Sequence, residues 1–377
     1  MPRIPHTRSV IAIGAALLVL TGVGSVLTSK AEAAETVTGT WEAESGKWNK
    51  AGRWWIQLEV RGKHGRSRNS YGVQDEGLAA FLKGNAATHA VEREAGTFRL
   101  TKGGKSGERA SGTFEFTPSA SFVRDMAALG YSGLSTEKLY ELASIDVTTG
   151  FIRDLAAVGY AEISLSRVVE MRIHDVDADY IRGLAAAGYE DLPTSRLVEM
   201  RIHDVTLEYV TEMVGAGLED LSARRLVEMR IHDVTPDYVE GMRQAGFRDL
   251  SSQRLVEMRI HDVTPEYVEA VESYGLADLS SNRIVEMRIH DVTPEFLQAM
   301  SELGYADVPS ESWVQARIHD VTPRYVRELG ELGYSRLPIS KLVEMRIHDV
   351  TPSYVRRVSS DGRLSADDLI ERRIHGG

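Results

Sequence analysis

The period of hydrophobic and polar positions changes near residue 116. From about residue 35, segments such as residues 54–60 and 112–116 alternate apolar and polar residues between stretches rich in Gly, Ser, Lys and Asn. This two-residue period predicts half-buried antiparallel strands. Beyond residue 116, apolar residues recur at the spacing of amphipathic helices. We therefore predict an α+β multidomain protein, with a small antiparallel β module over residues 35–115 and an all-α solenoid over residues 116–377.

The β module contains four of the five tryptophans. Large aromatic side chains of this kind usually fill a core, which predicts a small β-sandwich or a barrel-like module. A ligand-binding barrel is the alternative. The sequence Phe116-Thr117-Pro118 leads directly into the first helical unit. We therefore expect no flexible linker between the two regions.

Residues 255–268, with the sequence LVEMRIHDVTPEYV, belong to a repeat with a constant step of 29 residues. The step is marked by the histidine of an Ile-His-Asp-Val core, which occurs as His174, His203, His232, His261, His290, His319 and His348. Self-similarity at such a period indicates a stacked array. A 29-residue helix pair cannot bury its apolar face alone, so about nine units are expected to stack as a solenoid.

Each unit, for example residues 261–289, carries the start and stop residues of two helices. Thr264 and Pro265 suit the N-cap and first position of the first helix, and Gly275 suits its end. This glycine recurs as Gly130, Gly159, Gly188, Gly217, Gly246, Gly275, Gly304, Gly333 and Gly362. The second segment, from Ser280 to His290, alternates enough to fit a strand. Its Leu, Glu, Met and Arg content favours a helix, with the following Asp in the turn.

A recurring arginine falls inside an apolar arc of the second helix. For residues 255–263, the helical wheel places Leu255, Val256, Met258, Ile260 and Val263 in one arc that also contains Arg259 and Asp262. The arginine recurs as Arg172, Arg201, Arg230, Arg259, Arg288, Arg317 and Arg346. An arginine in such an arc needs a partner, so we predict a carboxylate or helix-end carbonyls in its own or the next unit. An anion-binding ladder is the alternative.

Glu257 and His261 lie four residues apart outside this arc, and Glu286 and His290 repeat the arrangement. We expect the histidine to cap the helix C-terminus and to pair with the glutamate. The same spacing would also let a divalent metal use both side chains, although zinc sites need three or four ligands. A recurring aromatic position, Tyr267 in this unit, is expected in the core rather than in a peptide-stacking strip.

The overall composition limits the functional classes. The net charge is −11 and the acidic excess lies in the repeat region, which argues against a nucleic-acid partner. The chain contains no cysteine and no H-E-x-x-H, G-x-S-x-G, P-loop or dinucleotide-binding motif. We therefore expect neither an enzyme nor a bound cofactor.

The N-terminus has the pattern of an export signal. Arg3 and Arg8 precede an apolar run over residues 10–27, and Ala31-Glu32-Ala33 follows it. This order predicts a cleaved signal peptide over residues 1–34. Because the run is long, an uncleaved membrane anchor is the alternative. Either assignment makes the rest of the chain extracytoplasmic, in the periplasm or secreted.

Residues 254–268, RLVEMRIHDVTPEYV, and the preceding segments 94–98 and 112–118 carry a resemblance. They resemble the C-terminal repeat region of membrane zinc metallopeptidases of the β-lactam-sensor (antirepressor) type, over about residues 90–377. Those sensors carry a multi-span membrane domain with an H-E-x-x-H site, and this sequence has neither. The resemblance implies a free-standing extracytoplasmic sensor or interaction part, with no catalytic residue carried over.

These features favour a non-enzymatic exported repeat scaffold that binds a protein or peptide partner in the cell envelope. A metal- or small-ligand-binding protein is the alternative, using the Glu/His columns or the β module. Variation between units on one face would favour a partner, whereas identical faces would favour a repeated ligand. Positions after the glycine vary most, as in residues 276–278 against residues 247–249, which favours a partner.

Overall fold

The computed structural model describes residues 36–45, 54–62, 65–72, 76–277, 279–359 and 364–376. The predicted signal peptide, residues 1–34, and Gly362 lie outside these ranges. Within them, an antiparallel sheet with one short helix is followed by a regular run of helices. This confirms the predicted α+β class, with a small β module followed by a helical repeat region.

The six described strands form a single antiparallel sheet in the order β3-β2-β1-β6-β5-β4. The strands are β1 (Val37–Ser45), β2 (Trp54–Gly62), β3 (Gly65–Gly72), β4 (Thr88–Arg93), β5 (Gly96–Ser106) and β6 (Arg109–Pro118). The described part of the module is therefore not the predicted two-sheet sandwich. Helices, rather than a second sheet, pack against this one: α1 (Glu76–Lys83) contacts β4, and α3 (Thr136–Ser144) contacts β1, β5 and β6.

Tryptophan does lie in the core of the module, as predicted. Trp41 is 1 % exposed, and its indole N–H donates to the carbonyls of Thr101 (3.2 Å) and Thr113 (3.1 Å). Opposite Trp41 stands Gly112, where a Cβ atom would lie only 1.9 Å from the Thr101 carbonyl oxygen. A larger residue at position 112 would therefore force the strands apart beneath the ring.

The core of the sheet continues into the first helices without a linker. One cluster of buried side chains extends from Trp41 through Phe116 to Val169. Strand β6 ends at Pro118, Ser119 is the N-cap, and the next helix begins at Ala120. The β module therefore covers the apolar surface that the first unit would otherwise expose, as a capping unit must in a repeat array.

Two kinds of helix alternate in the array. We call the first helix of each pair the A helix and the second the B helix. The A helices are α2 (Ala120–Ala128), α4 (Thr149–Ala157), α6 (Ala178–Ala186), α8 (Leu207–Gly215), α10 (Pro236–Gln244), α12 (Pro265–Glu272), α14 (Pro294–Glu302), α16 (Pro323–Glu331) and α18 (Pro352–Val358). The B helices are α3 (Thr136–Ser144), α5 (Leu165–Ile173), α7 (Thr194–Ile202), α9 (Ala223–Ile231), α11 (Ser252–Ile260), α13 (Ser281–Ile289), α15 (Ser310–Ile318), α17 (Ile339–Ile347) and α19 (Ala366–Gly376). The Met-Arg-Ile segment is thus helical, as predicted, and not a strand.

The Ile-His-Asp-Val core is the turn from a B helix to the next A helix. His261 is the C-cap of α11, and Asp262 adopts a left-handed conformation with φ of 59°. The Val263 N–H donates to the Met258 carbonyl (2.8 Å) and the Asp262 N–H to that of Arg259 (3.0 Å). These two bonds form a Schellman motif, and buried Val263 and Met258 provide its usual apolar contact. The next helix begins at once, because the Thr264 hydroxyl accepts from the Tyr267 N–H (3.2 Å).

The turn from an A helix to a B helix uses glycine at the corresponding position. Gly246 has φ of 94°, and the same region of φ holds every array glycine from Gly130 to Gly333 that was predicted to stop a helix. Phe247 N–H then donates to the Met242 carbonyl (2.9 Å).

No described helix is long and apolar enough to span a bilayer.

We expect Gly246→Ala to lower the free energy of unfolding by about 1–2 kcal/mol, because an L-residue pays roughly that to adopt this conformation. A Cβ atom at Gly246 would meet no other atom, so strain in φ is the only cost. Gly215→Ala is the matched control, since Gly215 lies at the end of helix α8 with equally open space around it. Urea denaturation should show a lower midpoint for the first variant and an equal or higher one for the second.

Candidate functional site

A cluster of four groups recurs at the end of the B helices, and we call it the arginine clasp. In the unit of residues 261–289 it consists of Arg288, Asp262, Tyr267 and the His261 carbonyl. Arg288 Nη2 lies 3.1 Å from Asp262 Oδ2, and Arg288 Nε donates to the His261 carbonyl at 3.4 Å. The guanidinium carbon lies 4.7 Å from the centre of the Tyr267 ring. The carboxylate and the helix-end carbonyl predicted as partners are both present, within the same unit.

The arginine clasp recurs along the array with small variations. The distance from guanidinium carbon to ring centre stays between 4.7 and 5.6 Å for Arg172, Arg201, Arg230, Arg259, Arg288, Arg317 and Arg346. Arg230 and Arg259 contact the preceding aspartates at 2.6 and 2.7 Å, whereas Arg201 contacts the His174 carbonyl at 3.2 Å. The Nε atoms of Arg230 and Arg259 are buried and make no hydrogen bond, so the carbonyl contact is missing there. Because each guanidinium still contacts the ring together with a carboxylate or a carbonyl of the preceding turn, this column is a structural contact between neighbouring B helices.

The tyrosines of the clasps are buried and hydrogen-bonded. The Tyr267 hydroxyl donates to the Val292 carbonyl (2.8 Å), and Tyr180, Tyr209, Tyr238 and Tyr325 make the equivalent bond. Burial raises the pKa of Tyr180 to about 12, although the positive charge of Arg201 opposes the shift. Burial also raises the pKa of Tyr209, Tyr238, Tyr267 and Tyr325 well above the ordinary value. The aromatic column therefore belongs to the core.

The glutamates of the Glu/His columns have a different partner from the predicted one. Glu257 lies 2.7 Å from Arg254, and Glu286 lies 2.6 Å from Arg283, in both cases one helical turn earlier. His261 and His290 do occupy the helix C-cap position. Across the part of the chain that the structure describes, no three His, Asp or Glu side chains come together as a metal-binding group. The glutamate–histidine pairing was predicted from helical spacing alone, which left out the basic residue on the preceding turn.

The placement of Ile260 and Asp262 in the buried arc was wrong. Ile260 is 54 % exposed, and the Asp262 side chain, in the turn beyond the helix, is 78 % exposed. At 100° per residue, Ile260 lies about 140° around the helix from Leu255 and faces away from the core. The same exposure, between 46 % and 55 %, is found for Ile202, Ile231, Ile260, Ile289, Ile318, Ile347 and Ile374, which we call the isoleucine ridge.

On the surface side of the B helices, which we call the B face, four columns change little from α5 to α17. They are represented by Arg254, Glu257, Ile260 and His261. A further exposed column, which contains Arg224, Gln253 and Glu311, varies between units. The surface side of the A helices, the A face, differs from unit to unit. One of its exposed columns contains Arg153, Arg182, Thr211, Glu240, Glu269, Gln298, Arg327 and Arg356. The charge of this column is positive near both ends of the array and negative in the middle.

The outer face of the β sheet bears a shallow cavity of about 520 Å³. Threonines from three neighbouring strands line it, because Thr40 stands opposite Thr113 and Thr113 opposite Thr101. Arg99 and Glu115, which also stand opposite each other, complete one side. The lining can donate and accept hydrogen bonds, and about half of its surface is apolar.

Compared with models of known protein families and with curated proteins, the chain has no match. The two faces of the array are its main candidate interaction surfaces. Sequence reasoning missed both the isoleucine ridge and the charge order along the A face. A comparison of each repeated position across the units would have found them, because it separates columns that never vary from columns that do.

We expect Arg259→Met to lower the free energy of unfolding by about 1–3 kcal/mol, because it leaves the Asp233 carboxylate unpaired and removes the contact with Tyr238. Arg254→Met, which removes only a surface ion pair in the same helix, should cost less than about 1 kcal/mol. Urea denaturation of both variants measures the difference. Equal stability of Arg259→Met and the wild type would rule out a structural arginine clasp.

We also expect the array to unfold in alkali. An exposed tyrosine ionises near pH 10, so a folded-state pKa raised to about 12 favours folding below pH 10. That contribution is lost as pH rises from about 10 through 12, since the unfolded chain then releases the proton more readily. Tyrosinate absorbance and helical circular dichroism, recorded in one titration, should change together. Ionisation of the clasp tyrosines with the helices intact would contradict this coupling.

Proposed function

We propose that the protein is a non-enzymatic exported scaffold whose A face binds a protein or peptide partner in the cell envelope. The observation that carries the proposal is the charge order of the exposed A-face column that contains Glu240 and Glu269. Arg153 and Arg182 stand at one end, Glu240 and Glu269 in the middle, and Arg327 and Arg356 at the other end. A partner with the opposite order would bind best in one register, because a shift by one unit halves the number of opposite-charge contacts and a shift by two units brings like charges together.

The A face can present these charges to a partner at little cost. Where an A-face residue has an ion pair, its partner lies on the same helix surface, as for Glu240 with Arg243 at 3.2 Å. Such exposed pairs contribute less than about 1 kcal/mol, so an incoming opposite charge can replace them. The repeated turns hold the column on a rigid array, which limits the conformational entropy that binding must overcome.

The exported location rests on the N-terminal sequence pattern. The resemblance to the repeat region of β-lactam-sensor metallopeptidases extends the proposal to an envelope sensing system. The acidic repeat region makes nucleic acid an unfavourable partner.

Small-ligand binding by the β module is the second candidate function. The cavity of about 520 Å³ favours it, since its size is within the range of small-molecule sites. Its threonine hydroxyls, with Arg99 and Glu115, suit a polar ligand that carries hydroxyl or carboxylate groups. The Glu/His columns, which would serve a metal, have no comparable observation in their favour.

The test is chemical cross-linking and affinity capture from the cell envelope with three forms of the protein. The wild type should capture a specific partner. The double variant Glu240→Lys, Glu269→Lys should lose at least about 90 % of it, because like charges then oppose each other across the interface. The control is Glu190→Lys, Glu219→Lys, which makes the same charge change at exposed positions in the loops between A and B helices and should retain capture. Equal capture by all three forms would overturn the assignment to the A face.

A further inference from the structure

The isoleucine ridge is the main exposed apolar feature of the described chain. Among the described residues, every large hydrophobic residue that is about half exposed, apart from Val214, belongs to the isoleucine ridge. Its members succeed one another on adjacent B helices, whose axes pack roughly 8–10 Å apart. The ridge is therefore a regularly spaced line of half-exposed side chains along one side of the array. Exposed apolar residues that line up in this way are candidates for an interaction surface, whereas singly scattered ones are normal.

The units provide their own comparison for this surface. Positions of the A-face column are as exposed as Ile260, yet over the same units they include Arg182, Thr211, Glu240 and Gln298. The ridge position is isoleucine in every unit from Ile173 to Ile347, and the next position is always histidine. Helix propensity does not explain the presence of isoleucine at the ridge position, since Leu, Met, Lys or Glu would suit an exposed helix position better. An external contact, repeated at each unit, does explain it.

A contact that repeats at each unit requires a partner with the same period. A second copy of this chain has that period by construction, whichever way the two arrays run. In a two-fold dimer the same surface serves both chains, so each ridge residue meets a ridge of identical spacing. An unrelated globular protein would present contacts at the six successive spacings between ridge isoleucines only by coincidence.

The charges of the B face suit a like partner. Arg254 and Glu257 neutralise each other, and so do Arg225 and Glu228 at 2.8 Å. In helix α15 both charges are absent, because Ser312 stands in place of the arginine and Gln315 in place of the glutamate. The face thus stays locally neutral within a strongly acidic array. Two copies can approach through it without the repulsion that other surfaces would produce.

The B face is also large enough. Each complete unit contributes about four surface residues, and six units with an exposed isoleucine reach the 20–30 residues per side of a stable interface. An apolar line flanked by charged residues has the usual arrangement of core and rim. The A face lies on the other helices, so self-association leaves it free.

We propose that this protein forms a two-fold homodimer in which the isoleucine ridges of two arrays pack against each other. This inference is independent of the partner proposed for the A face. The dimer would present two A faces on opposite sides, which increases avidity for any partner that is itself multivalent.

Sedimentation equilibrium of the full chain tests the proposal. The wild type should behave as a dimer of 41.7 kDa subunits. The triple variant Ile231→Lys, Ile260→Lys, Ile289→Lys should raise the dissociation constant at least about 100-fold, because it removes central apolar contacts and places like charges together. These side chains are exposed, so the helices should form normally, and circular dichroism verifies this. The milder set Ile231→Gln, Ile260→Gln, Ile289→Gln should weaken the dimer to a smaller extent.

The matched control is the triple variant Thr211→Lys, Val214→Lys, Gln298→Lys. It adds the same three charges and removes Val214, the one exposed large hydrophobic residue outside the ridge among the described residues, and it should remain dimeric. Weak dimers have dissociation constants in the micromolar range. A wild type that remains monomeric at a protein concentration about 100 times higher would overturn the proposal. So would a ridge variant that stays dimeric, since association would then use another segment, such as the apolar run of residues 10–27. Binding of a periodic polymer by the ridge would leave the wild type monomeric and overturn it equally.

Discussion

The array depends on an aspartate held in a left-handed conformation at the end of each B helix. From Asp146 to Asp349 these residues have φ between 53° and 59°, a region that glycine would adopt at lower cost. Glycine is used at the other turn of the unit, so its absence here has a reason. The aspartate side chain receives the arginine of the next B helix, and glycine could not. A single residue therefore ends one helix, starts the turn and connects neighbouring helices.

The arginine clasp also explains why the two faces of the array differ. Its contacts are made in the turns and at the helix ends, together with the buried Val, Met and Tyr columns. None of these contacts involves the outer side of the A helices in the middle of each helix. The sequence varies there. On the B face, the Ile260 and His261 columns are also accessible to solvent but do not vary from α5 to α17, so the packing of the array cannot be the whole reason for their composition.

The β module and the helical array form one structure joined by a shared core. Tyr140 of helix α3 packs against Phe98, Phe114 and Phe116 of the sheet. The first unit lacks the Met-Arg-Ile-His sequence that later units use, because a sheet and not another helix pair lies against it. The last B helix, α19, carries Asp367, Asp368 and Glu371 toward solvent, which suits the polar end of a repeat array.

The sequence by itself determined the period, the two helices of each unit and their ends. Thr264, Pro265 and Gly275 act through local backbone conformation, so their roles can be inferred from a single unit. Only the tertiary structure decided which partners the charged side chains take. Glu257 contacts Arg254 rather than His261, and Arg288 reaches an aspartate 26 residues earlier, because stacking brings distant turns together. It likewise decided that the sheet is single and that Ile260 faces outward, since exposure depends on how neighbouring units pack and not on hydrophobicity alone.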